Sequence, residues 1–373
     1  MSLIRNLKDT LTKNLSNIPG WSTNRKIVIF LVDDWGTIRI PDKEARISLT
    51  KEGIDCDSNR FNKYDTLATA DDLSCLFEVL SKNKDRDGNS ASFNALTVVA
   101  NPDFEKIQGS GFNQYYYEPF TKTLESYYGD DKVFNLWKQG ISDGLFMPQF
   151  HGREHLNVDF WLSGLQSGDK NLLAAFDQKA IGVPMSAASP YMSSYMAAFD
   201  FKAMADNENL KKVSIDGLKL FQDVFGYQAS LFTSSSLLHS NTIEPTLAEA
   251  GVKYIDRAKI TFEPLGSGKY KRQYYRLGQN NSSDQKYITR NCMFEPNKKP
   301  GMDVVNKALK DISIAFRWHK PAIISSHRVN YVGGADVANR DAGLRSLARL
   351  LTEIKKQWPA TEFMLFDQFA KLL

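Results

Sequence analysis

The chain has 373 residues, of which 42% are hydrophobic and 12% aromatic, enough to build a large apolar core. Its 47 Lys and Arg residues against 43 Asp and Glu residues give a net charge of +4. No dense basic run stands out, which argues against nucleic acid as a partner. The three cysteines, Cys56, Cys75 and Cys292, form no close pair and favour a reducing compartment. With no secretory signal or transmembrane segment in the sequence, we expect a cytoplasmic protein.

The start of the chain repeats leucine or isoleucine at helical spacing, at Ile4, Leu7, Leu11 and Leu15. This spacing predicts an amphipathic helix over residues 3–16 with a basic outer face. The segment is short and has no aromatic anchor, so we expect residues 1–20 to pack on the body of the protein. Peripheral contact with a membrane surface is the alternative.

After this helix, short β-rich apolar runs alternate with helical patterns. The runs predict strands at 26–32, 93–100, 145–150, 229–234, 252–256, 321–326 and 362–366. The patterns predict helices at 71–82, 131–140, 157–166, 210–225, 302–316 and 340–356. Such alternation is typical of parallel sheets and barrels. We therefore expect residues 21–373 to form a single catalytic α/β domain, a distorted (β/α) barrel of about seven strands.

Two polar segments interrupt this pattern. Residues 40–90 are rich in Asp, Asn, Lys and Ser and resemble a surface insertion, and residues 264–286 form a second polar excursion. The latter contains Gly266-Ser267-Gly268-Lys269, which superficially resembles a phosphate-binding loop. However, Glu263 replaces the first glycine of that motif, and Tyr270 replaces its Ser or Thr. A turn between two strands is the better prediction.

Acidic and imidazole side chains stand at the ends of three predicted strands. Asp33 and Asp34 follow the first, His151 follows the run 145–150, and His327 follows the run 321–326. The carboxyl ends of barrel strands meet on one face, so these groups are expected to converge. His151 and His155 lie four residues apart, and with one carboxylate they would form a three-ligand metal site with an open position.

Three motifs resemble those of a known family. Val32-Asp33-Asp34-Trp35-Gly36 is similar to a Phe-Asp-Asp-Gly motif, and His151-Gly152-Arg153-Glu154-His155 to a His-x-x-x-His motif. Ile323-Ile324-Ser325-Ser326-His327 is similar to a late strand that ends in a histidine. Together they resemble the polysaccharide deacetylases (NodB homology, carbohydrate esterase family four) over residues 26–366. The resemblance implies a NodB-like barrel.

The resemblance also implies a set of roles. Asp33 would be the general base and His327 the general acid, while Asp34, His151 and His155 would bind a divalent metal. Zinc is the expected metal, with cobalt, nickel or manganese as alternatives. The substrate would be an acetylated sugar or glycan precursor that loses an N-acetyl group, and removal of an O-acetyl group is the alternative.

The chain departs from the family pattern in two places. Trp35 is inserted before the usual glycine, and the arginine expected near residues 232–236 is absent. We consider Arg290 a replacement for that arginine, with a surface arginine beside a strand as the alternative. Trp35, Arg290 and Asn291 are candidate substrate-binding residues, and ordinary loop packing is the alternative for Trp35.

Two other functions fit parts of the sequence. The segment from His151 to His155 also reads as His-x-x-Glu-His, in which Glu154 would be the base of a zinc peptidase. That motif needs both histidines in one helix, whereas the apolar run before His151 predicts a strand. The other alternative is a catalytically inactive carbohydrate-binding relative, which the missing arginine leaves open.

Overall fold

The computed structural model describes residues 2–189, 192, 194–298 and 302–373, with side chains from Lys8 onward. Within these residues, the strands are β1 (Lys26–Trp35), β2 (Phe93–Val98), β3 (Ala100–Pro102), β4 (Tyr117–Pro119), β5 (Phe146–Gly152), β6 (Leu231–Thr233), β7 (Tyr254–Asp256), β8 (Ile260–Gly266), β9 (Lys269–Tyr274), β10 (Lys286–Ile288), β11 (Cys292–Met293), β12 (Ala322–His327) and β13 (Thr361–Phe363).

The helices of the same residues are α1 (Ser2–Ser16), α2 (Lys43–Lys51), α3 (Arg60–Tyr64), α4 (Ala70–Lys82), α5 (Phe104–Gly109), α6 (Phe120–Tyr128), α7 (Lys132–Ser142), α8 (Val158–Gln166), α9 (Lys170–Asp177), α10 (Asp206–Phe225), α11 (Glu244–Glu249), α12 (Val304–Arg317), α13 (Val337–Gln357) and α14 (Phe366–Ala370). Each of the seven strands and six helices predicted from the sequence overlaps an observed element of the same type.

The central sheet is parallel, with strand order β10-β7-β6-β5-β2-β1-β12-β11, and β13 also pairs with β1. The end strands β10 and β11 are consecutive in the chain, yet no ladder joins them in the part of the chain described. The sheet therefore curls into an open barrel with helices packed against it. This confirms the predicted α/β class and distorted barrel. The described residues form a sheet of nine strands where seven were expected, because β10 and β11 are too short to stand out in the sequence.

Alternate residues of β1 separate the two faces of the sheet. Val28, Phe30 and Val32 pack in the cluster that holds α4, α7, α12 and α13, whereas Ile27 and Leu31 pack with residues of other strands and of α14. This period of two is what a strand buried on both faces requires. The apolar side chains of the second set fill the amino-terminal end of the barrel, so the carboxyl end remains for a site.

Helix α1 contacts α12 through polar groups. Lys13 Nζ lies 2.7 Å from Asp311 Oδ1, and Trp318 Nε1 donates to Asn14 Oδ1 at 3.0 Å. Leu11 and Leu15, expected on the covered face, are 58% and 56% exposed. The expected basic outer face is thus wrong for Lys13, because the buried Asp311 draws its ammonium towards the body. The side chains of Ile4 and Leu7 lie outside the described residues.

The two polar segments contain regular structure. Residues 40–90 form α2, α3 and α4, and α2 joins a second apolar cluster that includes residues of α8 and α9. Strands β8 and β9 pair antiparallel, with Ser267 and Gly268 at the turn in left-handed conformations. This geometry is that of a tight hairpin turn and confirms the predicted turn in place of a phosphate loop. No helix in the described part of the chain is long and apolar enough to cross a membrane.

Candidate active site

A bulge at the end of β1 places two adjacent acids on one cavity. The β1–β2 register shifts between Val32 and Trp35, and Asp34 has φ +74°, in the left-handed region. Successive residues of a regular strand point to opposite faces, and the bulge breaks this alternation. Asp33 and Asp34 therefore both line the cavity. A non-glycine residue with positive φ is uncommon, and such conformations cluster at functional sites.

Asp34 lies next to both imidazoles of the His-x-x-x-His segment. Its Oδ1 is 3.4 Å from His151 Nε2 and 3.2 Å from His155 Nε2, and all three side chains are buried. His151 Nδ1 donates to the carbonyl oxygen of Thr233 at 2.8 Å, which leaves the lone pair of Nε2 facing the cluster. The predicted metal ligands thus lie together.

The chemistry of these three residues fits a divalent metal ion. One carboxylate and two imidazoles are a common donor set for zinc at sites with an open position. His151 Nε2 is buried without a hydrogen-bond partner among the described residues, a costly arrangement that a metal ion would relieve. Burial opposes ionisation of Asp34, but His151 and His155 hold its pKa well below the usual value. Burial also lowers the pKa of His155, and metal binding requires such neutral imidazoles.

Asp33 is bound by a single arginine. Arg290 donates from Nη1 to Asp33 Oδ2 and from Nη2 to Asp33 Oδ1, both at 2.7 Å. The same guanidinium donates from Nε to Asp256 Oδ2 at 2.8 Å. The Arg290 side chain is 6% exposed, so the alternative of a surface arginine is wrong. Arg290 makes the contact with Asp33 that the hypothesis required, and its role in orienting a base stays a prediction.

His327 faces Asp33 across the β1–β12 ladder, where the two residues are register partners. Its Nε2 lies 3.6 Å from Asp33 Oδ2, and its Nδ1 donates to Glu295 Oε1 at 2.5 Å. Burial alone would lower the pKa of His327, but Glu295 and Asp33 raise it to about 9. The imidazole is therefore protonated at neutral pH.

These side chains share one cavity of about 900 Å³ at the carboxyl end of the barrel. The predicted residues that line it are Asp33, Asp34, His151, His155, Arg290 and His327. Much of the remaining wall comes from the described parts of the segments 55–62 and 182–196, and further lining residues include Arg39, Phe160, Leu237 and Met293. A cavity of this volume is in the range of sites that bind small organic molecules.

Two candidate substrate-binding residues lie away from this cavity. The Trp35 side chain is buried in the core, with its ring centroid 4.7 Å from that of Phe146. The Asn291 side chain donates to the carbonyl oxygen of Pro321 and accepts from the N–H of Ile323, each at 2.9 Å. These contacts contradict the prediction that Trp35 and Asn291 bind substrate. The bulge turns Trp35 inward, and Asn291 joins β11 to β12.

The zinc peptidase alternative is also contradicted. His151 lies in β5 and His155 in the loop that follows, so the two histidines do not share a helix. Glu154 is buried outside the cavity and accepts from Arg153 Nε and Nη2 at 2.6 and 2.7 Å. A carboxylate held this way cannot serve as the base of the site.

Sequence reasoning missed two acids that contact the predicted residues. Asp256 ends β7 and pairs with Arg290, and Glu295 lies two residues after β11 and pairs with His327. Asp256 carried the same signal as Asp33, an acid at the end of a predicted strand. Glu295 had only a two-residue strand before it, which is too short to stand out as a pattern.

No family model and no curated protein matches the chain. Among solved structures, a probable polysaccharide deacetylase from Pseudomonas aeruginosa PAO1 is similar over 93% of this chain and 91% of its own, with 10% identity and a TM-score of 0.43. A 4-alpha-glucanotransferase from Thermococcus litoralis matches 94% of this chain and 40% of its own, with 10% identity and a TM-score of 0.46. A CE4 family pseudoenzyme from Bacillus anthracis matches 91% of this chain and 64% of its own, with 8% identity and a TM-score of 0.38. The similar structures thus include the family whose motifs the sequence resembles, and their names assign no activity to this chain.

Proposed function

We propose that the protein is a metal-dependent deacetylase that hydrolyses the N-acetyl group of a sugar or glycan precursor, with an O-acetyl group as the alternative. One observation carries the proposal. The Asp34–His151–His155 cluster, with donor atoms 3.2–3.4 Å from Asp34, borders the same cavity as the Asp33–His327 pair. Three metal-type donors beside a carboxylate and a protonated imidazole suit metal-assisted hydrolysis.

Asp34, His151 and His155 would hold the metal, with zinc expected first and cobalt, nickel or manganese as alternatives. When bound, such an ion supplies positive charge that polarises a carbonyl group and makes a water molecule more acidic. Thr233 supports this arrangement, because its carbonyl oxygen fixes the tautomer and orientation of His151.

The other residues would move protons. Asp33 is held by Arg290 and stands as the acceptor for the proton of the attacking water. His327, protonated and held by Glu295, donates a proton to the departing amine. The carbon–nitrogen bond breaks, the water oxygen stays with the acetyl group, and acetate and a free amino sugar result.

The inactive alternative depended on the missing arginine. Arg290 reaches Asp33 from another part of the chain, which supports the catalytic function over that alternative. We therefore argue for a catalytic site.

The test is acetate release from N-acetylated and O-acetylated sugars by the purified, metal-loaded protein. Asp33→Asn and His327→Ala should each lower kcat about a hundredfold or more while metal content, measured by mass spectrometry, stays unchanged. Asp34→Ala should lose the metal. If Asp33→Asn and His327→Ala match the wild type on every acetylated sugar tested, catalysis at this site is wrong.

A further inference from the structure

Arg39 lines the cavity, and its guanidinium makes no hydrogen bond to any described residue. The residue is 6% exposed, and its Nε lies 3.8 Å from Asp65 Oδ2, beyond hydrogen-bond distance. No other described residue accepts a hydrogen bond from it, and its Nε is fully buried. A buried cation is costly unless its donors are satisfied. Arg39 therefore has donor groups free for a molecule in the cavity.

A second unsatisfied polar side chain lies at the same corner. Asn62 is 2% exposed, lines the cavity, and has an Oδ1 with no hydrogen-bond partner among the described residues. Both side chains approach Gly182, where an added Cβ would lie 3.0 Å from Arg39 Cγ and 3.3 Å from Asn62 Oδ1. The absence of a side chain at Gly182 leaves room for this convergence.

Two arginines share one aspartate at this corner. Asp65 is the carboxylate nearest Arg39, but it already accepts from Arg328 Nε at 2.9 Å, so two guanidinium groups face one carboxylate. Asp55, also on the cavity wall, accepts from the backbone N–H groups of Asp57 and Ser58. Asp65 Oδ2 makes no hydrogen bond among the described residues and faces Arg39 Nε at 3.8 Å, so Asp65 compensates the charge of Arg39 only as a loose ion pair. The Nη groups of Arg39 donate to no described residue, which leaves them for an anion in the cavity.

Phe61 places this corner beside the catalytic pair. The Cζ atom of Arg39 lies 4.8 Å from the centre of the Phe61 ring, and the centre of the His327 ring lies 5.3 Å from the same ring. One aromatic side chain therefore separates Arg39 from His327. A ligand with its acetyl group near His327 would reach Arg39 with a neighbouring substituent.

We propose that Arg39 and Asn62 form a binding site for an oxoanion of the substrate, either a carboxylate or a phosphate. The planar fork of an arginine matches two oxygens of such a group, and the Asn62 side chain can donate a further hydrogen bond from Nδ2, with Oδ1 left to accept from a hydroxyl group of the sugar. The assignment of this anion to an acetylated sugar rests on the proposed deacetylase function. The hydroxyl and carbonyl oxygens of an uncharged acetylated sugar can accept hydrogen bonds from Arg39 but bring no opposite charge, so the site favours the charged sugar.

The test compares three sugars by calorimetric titration of the full-length protein at constant ionic strength. N-acetylglucosamine is the neutral probe, N-acetylmuramic acid adds a carboxylate, and N-acetylglucosamine 6-phosphate adds a phosphate. We expect the wild type to bind at least one charged sugar about tenfold or more tightly than the neutral one. The better of the two charged probes identifies the oxoanion.

Two variants connect this preference to the site. Arg39→Gln should abolish it, while Arg86→Gln, which removes the same charge from a half-exposed surface position, should leave it unchanged. Asn62→Asp supplies Arg39 with an internal carboxylate, so the preference should vanish while the midpoint of thermal unfolding holds or rises. This second variant keeps the test decisive if Arg39→Gln does not fold.

Two outcomes would overturn the inference: a wild type with no preference for either charged sugar, or a preference that survives in both variants. Acetate release, measured in parallel, separates this result from the proposed function. If all three sugars bind equally and acetate is released, the anion site is wrong and the deacetylase proposal stands. If a charged sugar binds more tightly but no sugar releases acetate, the deacetylase proposal is wrong and the anion site stands.

Discussion

His327 and Glu295 form a hydrogen-bonded pair, with Nδ1 of the imidazole 2.5 Å from Oε1 of the carboxylate. Glu295 is in turn bound by Arg60 at 2.7 Å and by Asn330 at 2.8 Å, which fixes its orientation. The second ring nitrogen of His327 is left facing Asp33 and the cavity. Glu295, which follows the neighbouring strand β11, therefore orients the imidazole and stabilises its protonated form.

Glu295→Gln should move the alkaline limb of the pH–rate profile to lower pH. The wild-type pKa of His327 is raised to about 9, so the general acid is protonated below that value and lost above it. Without the Glu295 charge, burial lowers the pKa of His327, and the protonated form disappears at lower pH. The measurement is kcat/KM for deacetylation between pH 5 and pH 10. Glu295→Asp should restore part of the profile, and an unchanged alkaline limb in Glu295→Gln would contradict the role of the pair.

Arg290→Lys should lower kcat about 10- to 100-fold with metal content unchanged. Lysine keeps the charge but cannot donate to both oxygens of Asp33 and to Asp256 at once. The proton acceptor would then lose its fixed orientation. The measurement is steady-state kinetics together with metal analysis of the same preparation. A variant that matches the wild type in kcat would show that the arginine only supports the fold.

Glu154→Gln should lower stability and leave kcat unchanged. The substitution removes the carboxylate that Arg153 binds in a buried pair, and breaking such a pair typically costs about 3–5 kcal/mol. The remaining contact from Arg153 to Asp216 at 2.8 Å will reduce this cost. Urea unfolding gives the stability and deacetylation the rate. Loss of activity in a folded, metal-containing variant would instead revive the peptidase alternative.

Trp35→Phe should destabilise the protein by about 1–3 kcal/mol, with KM for the sugar unchanged. The indole packs against Phe146 and Trp137 with ring centroids 4.7 and 6.1 Å away, and the smaller ring leaves a cavity there. Denaturant unfolding and substrate kinetics on one preparation check both parts. A large rise in KM without loss of stability would show that the Trp35 side chain contacts the substrate and contradict its assignment to the core.

Removal of the metal should lower the unfolding midpoint of the wild type but not of Asp34→Asn. A ligand present at 100 times its Kd stabilises the folded state by about 2.7 kcal/mol. Asparagine tolerates the left-handed conformation seen at Asp34, φ +74°, so the backbone should persist while the charged ligand is lost. The check is thermal unfolding with and without a chelator. An equal drop in both proteins would place the metal elsewhere.

The sequence predicted the strands and the acids and histidines at their ends, because apolar runs and terminal polar residues are local patterns. It could not predict which way the side chains of Asp34 and Trp35 point, since the bulge depends on pairing with β2. Arg290 and Asp33 are 257 positions apart, so their contact leaves no local signal in the sequence. The only hint was the absence of the arginine expected near residues 232–236. Arg39 lies between two isoleucines and Asn62 in the short helix α3, where no local pattern marks a cavity residue, so only the folded structure reveals their missing partners.

Arg290 lies at the open side of the barrel and contacts three strands of the sheet there. Arg290 lies in the short link between β10 and β11, the two edges that do not pair, and it contacts Asp256 from β7, Asp33 from β1 and Ser325 from β12. Its guanidinium thus links strands on both sides of this gap, where no described backbone ladder joins the two edges. A substitution at Arg290 would therefore disturb the contacts across this gap and the orientation of Asp33 at the same time.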